Sequence, residues 1–110
     1  MNSITTHVLD TASGKPARGV PIKLEFLNGS AFEEVGSGIT DDDGRVRTLL
    51  GGEAPQVGTY RITFDTGVYY GEADTFYPYV SIVFRVKSTT THYHVPLLLS
   101  PFGISTYRGS

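Results

Sequence analysis

The sequence contains no cysteine and no tryptophan. Without cysteine the chain can form no disulfide, thiolate nucleophile or cysteine-ligated metal site, which fits the cytoplasmic location that we expect. Charged residues are also few, at 18%, and the formal net charge of −2 gives no basic surface for nucleic acid or for an anionic membrane. No apolar run reaches the length that spans a bilayer. We therefore expect neither nucleic acid nor a membrane as a partner.

Apolar and aromatic residues are, by contrast, well represented. Hydrophobic residues make up 39% of the 110 positions and include seven tyrosines and six phenylalanines. A chain of this length fits one domain, so we predict a single domain over residues 1–110. Because so small a domain is marginal alone, we expect some of its aromatic surface to be buried between subunits.

Apolar and polar residues alternate with a period of two through most of the chain, which predicts strands rather than helices. One segment, near 66–74, resists this pattern, and there we predict a helix of about two turns that ends before Pro78. About eight short strands and one small helix predict an all-β fold, an eight-stranded antiparallel β-sandwich. The predicted strands cover 4–10, 20–27, 31–39, 45–50, 59–66, 79–87, 91–100 and 103–109.

Glycine and proline refine this assignment at two places. Gly36 and Gly38 indicate that the strand over 31–39 is twisted or lies at an edge. Pro96 cannot donate a ladder hydrogen bond, so we predict that it lies at an edge position or a bulge. A bulge there would re-aim the side chains beside it.

The three histidines are the first candidates for chemistry. His92 and His94 lie two apart in a predicted strand and therefore point to one face, and His7 lies in the first strand. Histidine is the side chain best suited to exchange protons near neutral pH, although most lone histidines are surface or satisfied core residues. If all three converged, they could instead bind zinc.

Two arginines follow the acidic turn "DDDG" at 41–44. The guanidinium of Arg45 or Arg47 could hold a planar carbonyl, urea or carboxylate group, and the alternating pattern does not choose between them. The turn itself lacks the glycine and glutamate spacing of an EF-hand, so a solvated acidic turn is the better interpretation than a calcium site.

Two long stretches resemble one known family. "THVLDTASGKPARGVPIKL" near the start and "HYHVPLLLSPFGISTYRGS" at the end are similar to the transthyretin-related family, and within it to the 5-hydroxyisourate hydrolases. "TDDDGR" and "GTYRITFDTGVYY" extend the resemblance over nearly the whole chain, and the C-terminal "YRGS" is its most specific mark. Ile104 stands where the family usually has an aromatic residue, which we expect to affect packing only.

The resemblance implies a fold, an activity and an assembly. The fold is the transthyretin-like sandwich, and the assembly is a homotetramer, a dimer of dimers, with active sites at the interfaces. The activity is hydrolysis of 5-hydroxyisourate to 2-oxo-4-hydroxy-4-carboxy-5-ureidoimidazoline in urate degradation, with water as the nucleophile and no metal or other cofactor.

The resemblance also implies a set of site residues. Catalytic roles fall to His7, Arg45, His94 and Ser110, and substrate binding to His7, Arg45 and Tyr107. Arg45 is thereby favoured over Arg47, whereas His92 and Arg108 receive no role. Which of His7 and His94 is the general base stays open.

Three other interpretations fit parts of the sequence. The first is a carrier of small aromatic ligands on the same scaffold, the second a structural sandwich module, and the third a zinc-dependent hydrolase that uses the three histidines. Because a carrier has no need of proton-transfer groups, the joint presence of His7, Arg45, His94 and "YRGS" favours the metal-free enzyme.

Overall fold

Two β-sheets form the protein in the computed structural model, which describes residues 3–51 and 53–109. The first sheet has the order β2-β1-β8-β9, with β5 paired to β1, and the second has the order β4-β3-β6-β7. The strands are β1 Ile4–Asp10, β2 Lys15–Pro16, β3 Pro21–Asn28, β4 Ala31–Ile39, β5 Arg45–Val46, β6 Gly58–Phe64, β7 Val80–Val86, β8 Tyr93–Ser100 and β9 Gly103–Thr106. The all-β sandwich predicted from the alternating pattern is confirmed.

The core lies between the sheets and follows directly from the alternation. In β1 the side chains of Ile4, Thr6 and Val8 are buried, whereas Thr5 and His7 lie on the outer face. Both sheets contribute buried apolar side chains to one cluster, and each fully buried large one contributes about 1.5–3 kcal/mol. The same packing that buries alternate residues therefore holds Thr5 and His7 on the solvent side of a rigid sheet.

One strand pair departs from the predicted antiparallel arrangement. Strand β1 runs parallel to β8, so the first sheet is mixed, while the other strand pairs are antiparallel. The alternating pattern fixes which face a residue occupies but carries no information on strand direction. The parallel register places Thr5 beside His94 and His7 beside Pro96, and the pairing with β5 places Arg45 beside His7.

The strand predicted over 45–50 is shorter than expected. Only Arg45–Val46 is strand, because the chain then turns so that Leu49 enters the core. Gly36 in β4 makes room for this turn: a methyl group on it would lie 1.7 Å from the carbonyl oxygen of Leu49. Strand β4 is at the edge of its sheet, as its glycines predict, and the two-residue β2 was not predicted.

The predicted helix is present but short. Helix α1 spans Thr66–Tyr70, and the side chain of Asp65 caps it by accepting a hydrogen bond from the Val68 N–H. It ends before Pro78, as predicted, but already at Tyr70, where Gly71 caps it with a φ of 61° that is costly for other residues. Among the residues described, no helix is long and apolar enough to cross a membrane.

Pro96 lies inside β8, with β1 on one side and β9 on the other, and the ladder with β1 runs past it without a register shift, so the prediction of an edge position or a bulge is wrong. The ladder between β8 and β9 stops at the pair Leu97 and Thr106. The next pair would set Tyr107 against Pro96, which has no N–H to donate. Strand β9 therefore ends at Thr106 instead of continuing to Gly109 as predicted, and the chain rejoins β8 only at a single bridge between Gly109 and His94.

Candidate active site

Three strands bring three of the four predicted catalytic residues to one place on the outer face of the first sheet. Strand β1 supplies His7, β5 supplies Arg45 beside it, and β8 supplies His94, two pairs further along the ladder with β1. An open depression of about 230 Å³ lies on this face. Its lining comprises Thr5, Thr6, Arg45, Arg47, His92 and His94.

The acidic turn before β5 holds the backbone of Arg45. One carboxylate oxygen of Asp41 accepts hydrogen bonds from the N–H groups of Asp43, at 2.9 Å, and Arg45, at 3.0 Å. Gly44 has φ +74°, and a methyl group on it would lie 2.4 Å from the carbonyl oxygen of Val8. The turn thus packs directly on β1, and this contact sets the position of the Arg45 backbone. The "DDDG" sequence therefore has a structural role in the turn.

The structure separates the two arginines that the sequence pattern left equivalent. Arg47 is bound by ion pairs to Asp41, at 2.9 Å, and to Asp43, at 3.8 Å. Arg45 makes no ion pair within residues 3–51 and 53–109. The positive charge of Arg45 is therefore the one that remains available to a bound anion or a developing oxyanion.

Both histidines are held in the form that can accept a proton. Partial burial lowers the pKa of His94 below its usual value of 6.5, and the charges of Arg45, His7 and His92 lower it further. Burial and then Arg45 likewise lower the pKa of His7, against an opposing contribution from Asp43. At pH 7 both imidazoles are therefore mainly neutral.

A hydroxyl that the sequence analysis missed links two of the histidines. Thr5 Oγ1 lies 2.8 Å from His94 Nδ1 and 2.9 Å from His92 Nε2. His92 and His94 therefore share a face, as their spacing predicts. The sequence feature that could have identified Thr5 as a site residue is its position two residues before His7, on the same face of β1.

Zinc binding by the three histidines finds no support in this arrangement. Within the part of the chain that is described, no group of three histidine, cysteine, aspartate or glutamate side chains is placed to hold a metal ion. Thr5 instead engages one ring nitrogen each of His92 and His94.

The C-terminal tail packs on His94, the second histidine of the predicted catalytic set. The N–H of Gly109 donates to the carbonyl oxygen of His94 at 2.8 Å. A methyl group on Gly109 would lie 2.6 Å from Cδ2 of the His94 ring and 3.2 Å from the Pro96 side chain. Arg108, which had no assigned role, places its guanidinium 4.5 Å from the centre of the Tyr93 ring, a cation–π contact. The tail is thus held by two contacts, from Arg108 to the Tyr93 ring and from Gly109 to the His94 backbone.

The remaining predicted site residues are placed less directly. Tyr107 is exposed and lines a separate cavity of about 140 Å³, whose wall His94 also forms. Among the residues described, Tyr107 does not line the depression that contains Arg45. Ser110 lies outside the described residues. The substrate-binding role of Tyr107 and the catalytic role of Ser110 stay predictions.

Comparison with known proteins adds the family context. The family model for transthyretin, described as the HIUase/Transthyretin family, matches residues 4–109. A 5-hydroxyisourate hydrolase from Salmonella dublin is 44% identical over 111 residues, which cover 99% of this chain and 82% of the relative.

Two solved structures with the same fold belong to proteins with different names. The 5-hydroxyisourate hydrolase of Klebsiella pneumoniae matches over 100% of both chains, with 32% identity and a TM-score of 0.86. Sea bream transthyretin, solved in complex with thyroxine, has a TM-score of 0.90 at 28% identity, and the match covers 96% of this chain and 93% of that one. The backbone alone therefore does not separate a hydrolase from a hormone-binding protein, and the site residues must do so.

Proposed function

Because the chain belongs to the HIUase/Transthyretin family, we propose that it hydrolyses 5-hydroxyisourate to 2-oxo-4-hydroxy-4-carboxy-5-ureidoimidazoline in urate degradation. The observation that carries this proposal is the cluster of His7, Arg45 and His94. It combines two neutral imidazoles with an arginine that has no ion-pair partner among the described residues, beside an open depression. These are the groups that a metal-independent hydrolysis requires.

The reaction opens a ring at a cyclic amide-type C–N bond. Water attacks the carbonyl carbon, and a neutral histidine accepts one of its protons, which is typically worth about 10²–10⁴ in rate. Arg45 stabilises the oxyanion that develops on the carbonyl oxygen, a contribution of about 10²–10³. The C–N bond then breaks, and the histidine returns its proton to the leaving nitrogen. The second hydrogen of the water remains on the new carboxyl group.

We assign the general base to His94 and a substrate- and water-orienting role to His7. The backbone of Thr5 faces the His94 ring and raises its pKa, which is the effect of a carbonyl oxygen that accepts a ring proton. Together with the hydroxyl at 2.8 Å, this favours a proton on Nδ1. The lone pair of neutral His94 that accepts a proton is then on Nε2. This nitrogen is bonded to Cδ2, the ring atom against which Gly109 packs.

We further propose the homotetramer that the family resemblance implies. Strand β9 is one edge of the first sheet and β7 is one edge of the second, and residues of both line the cavity of about 140 Å³. Large exposed apolar side chains gather on and beside these edges: Tyr79, Val83, Phe102, Ile104 and Tyr107. Unpaired strand edges with apolar neighbours favour pairing with a second copy. Sedimentation should give four chain masses, whereas a monomer at micromolar concentration would contradict the proposal. A cytoplasmic location stays a prediction.

A carrier of thyroxine-like ligands is the competing function, because sea bream transthyretin matches the backbone closely. The two functions differ in the product. We expect NMR spectra of 5-hydroxyisourate incubated with catalytic amounts of the protein to show the ring-opened ureidoimidazoline, and calorimetry to show no thyroxine binding. Thyroxine binding without ring opening would instead establish the carrier.

Activity is expected to depend on pH through the histidines. Because the pKa of His94 is lowered from 6.5, the proton-accepting form persists at pH 7 and is lost only as the pH falls below 6.5. We therefore expect kcat/KM to be constant between about pH 7 and 8 and to fall on the acid side of 6.5. A pH profile of initial rates measures this, and an acid limb centred above 6.5 would be inconsistent with a buried neutral base.

Gly109→Ala is expected to impair catalysis through the position of the His94 ring. The added methyl group would lie 2.6 Å from Cδ2, so either the ring or the tail must move by several tenths of an ångström. Misplacement of a reacting group by about 1 Å can cost 10²-fold, so we expect a loss of about 10- to 100-fold in kcat/KM. Gly103→Ala is the matched control, because its methyl group would meet only the Ser100 hydroxyl at 3.3 Å. Equal losses in both variants would show that the contact with His94 is unimportant.

A further inference from the structure

Thr5 occupies an unusual position between two histidines. Its hydroxyl oxygen lies 2.8 Å from His94 Nδ1 and 2.9 Å from His92 Nε2. A hydroxyl has one proton, so it can donate to only one of these nitrogens while its lone pairs accept from the other. The protonation of one ring is therefore linked to that of the second through a single oxygen atom.

On the basis of the proposed function, we propose that Thr5 is a positioning residue that connects His94 to His92 as a proton relay. When His94 accepts a proton at Nε2, its Nδ1 proton passes to the Thr5 oxygen, and the Thr5 hydroxyl proton passes to His92 Nε2. His94 ends as the neutral Nε2–H tautomer and His92 as the imidazolium. When His94 later gives its Nε2 proton to the leaving nitrogen, the two transfers reverse and the starting state returns.

The backbone makes this arrangement rigid. Thr5 lies beside His94 in the parallel pair of β1 and β8, and the outward direction of its side chain is fixed by the burial of Ile4 and Thr6 on either side. Threonine is also restricted in χ1, so few rotamers compete with the one that bridges the two rings. His92 precedes the first residue of β8 and reaches the same oxygen from the same face.

The electrostatic surroundings favour placing the extra charge on His92. His94 is half-buried and faces Arg45 on β5, His7 on β1 and His92 on its own chain segment, all of which disfavour a second positive charge there. His92 is exposed to water, which stabilises an imidazolium. A relay from the half-buried to the exposed ring therefore moves the charge away from Arg45 and toward solvent.

The relay is tested with two substitutions at one position. Thr5→Val keeps the β-branched shape and removes the hydroxyl, whereas Thr5→Ser keeps the hydroxyl. We expect Thr5→Val to lower kcat about 10- to 100-fold with KM nearly unchanged, by analogy with the loss of a group that orients a metal-bound histidine. Thr5→Ser should retain kcat within about threefold. Equal losses in both variants, or none in Thr5→Val, would overturn the proposal.

A spectroscopic readout separates the relay from the proposed function itself. Nitrogen-15 NMR of the labelled protein reports which ring nitrogen of His94 carries the proton, without any substrate. We expect the Nδ1–H tautomer in the wild type and in Thr5→Ser, and loss of that preference in Thr5→Val. A wild type with this tautomer but no hydrolysis would refute the function and not the link between the rings. An Nε2–H tautomer in the wild type would refute the relay even in an active enzyme.

His92→Gln provides a third arm. Glutamine retains an oxygen that accepts from the Thr5 hydroxyl but takes up no proton at neutral pH. We expect kcat to fall by an amount similar to that in Thr5→Val, and the double variant to lose little more, because both changes break one relay. Multiplying losses in the double variant would show that the two residues act separately.

Discussion

Replacing His94 by asparagine is expected to lower kcat/KM for 5-hydroxyisourate by about 10²–10⁴-fold, the range for loss of a general base. The asparagine amide nitrogen lies near the position of the imidazole Nδ1, so it can still donate to the Thr5 hydroxyl that now lies 2.8 Å away. No group then takes the proton from the attacking water. Initial rates from the absorbance decay of the substrate measure the effect.

The design of this variant separates chemistry from folding. The side chain of His94 is only half-buried, and asparagine adds no bulk against Gly109. We therefore expect an unchanged oligomeric state and a shift in the thermal midpoint of no more than a few degrees. His94→Asn with wild-type kcat/KM would exclude His94 as the base, and His7 would then be the remaining candidate.

The second large effect is expected from Arg45→Gln. Glutamine keeps hydrogen-bonding capacity but removes the positive charge, so the oxyanion loses its main stabilising partner and kcat/KM should fall about 10²–10³-fold. A second consequence is that the pKa values of His7 and His94 should rise, because Arg45 is the charged residue that lowers both pKa values most. The acid limb of the pH profile should therefore move to higher pH in this variant.

Arg47→Gln is the matched control, since Arg47 stands two residues further along on the same depression. Its guanidinium is already engaged by Asp41 and Asp43, so its loss should affect the acidic turn more than the reaction. We expect less than a tenfold change in kcat/KM, because exposed ion pairs contribute about 0–1 kcal/mol. A larger loss in Arg47→Gln than in Arg45→Gln would reverse the assignment of the two arginines.

Much of the fold could be predicted because the alternating pattern is a direct consequence of sandwich packing. Burial of every second residue in β1 and β6 is what period two encodes, and the glycines of β4 marked an edge strand. The direction of β1 against β8 could not be predicted in this way. The two strands are separated by most of the chain, and their parallel pairing depends on how both sheets close around the core.

The candidate site shows the same division. Histidine and arginine could be selected as candidates from their chemistry, and the family resemblance chose Arg45 from two equivalent positions. The resemblance gave Thr5 and Gly109 no role, because the role proposed for each depends only on its contact with His94. A threonine in a strand and a glycine near a terminus are common residues that do not by themselves indicate a site. Their contacts with His94 follow only from the register of β1, β8 and the C-terminal tail.

The tail illustrates how one local rule changes the interpretation of a motif. Continuing β9 through "YRG" was the natural extension of the alternating pattern. Pro96 stops that ladder because it has no N–H, and the residues after Thr106 are then free of regular pairing. Arg108 instead stacks on the Tyr93 ring, and the Gly109 N–H donates to the His94 carbonyl oxygen, so the motif holds the tail against the predicted catalytic histidine.

The central claim is most directly tested by the absorbance decay of freshly prepared 5-hydroxyisourate, followed with and without the purified protein. The arrangement of His7, Arg45 and His94 predicts an acceleration proportional to protein concentration, unchanged by a chelator and lost in His94→Asn and Arg45→Gln. Decay at the buffer rate at every concentration of the correctly folded wild-type protein would contradict it.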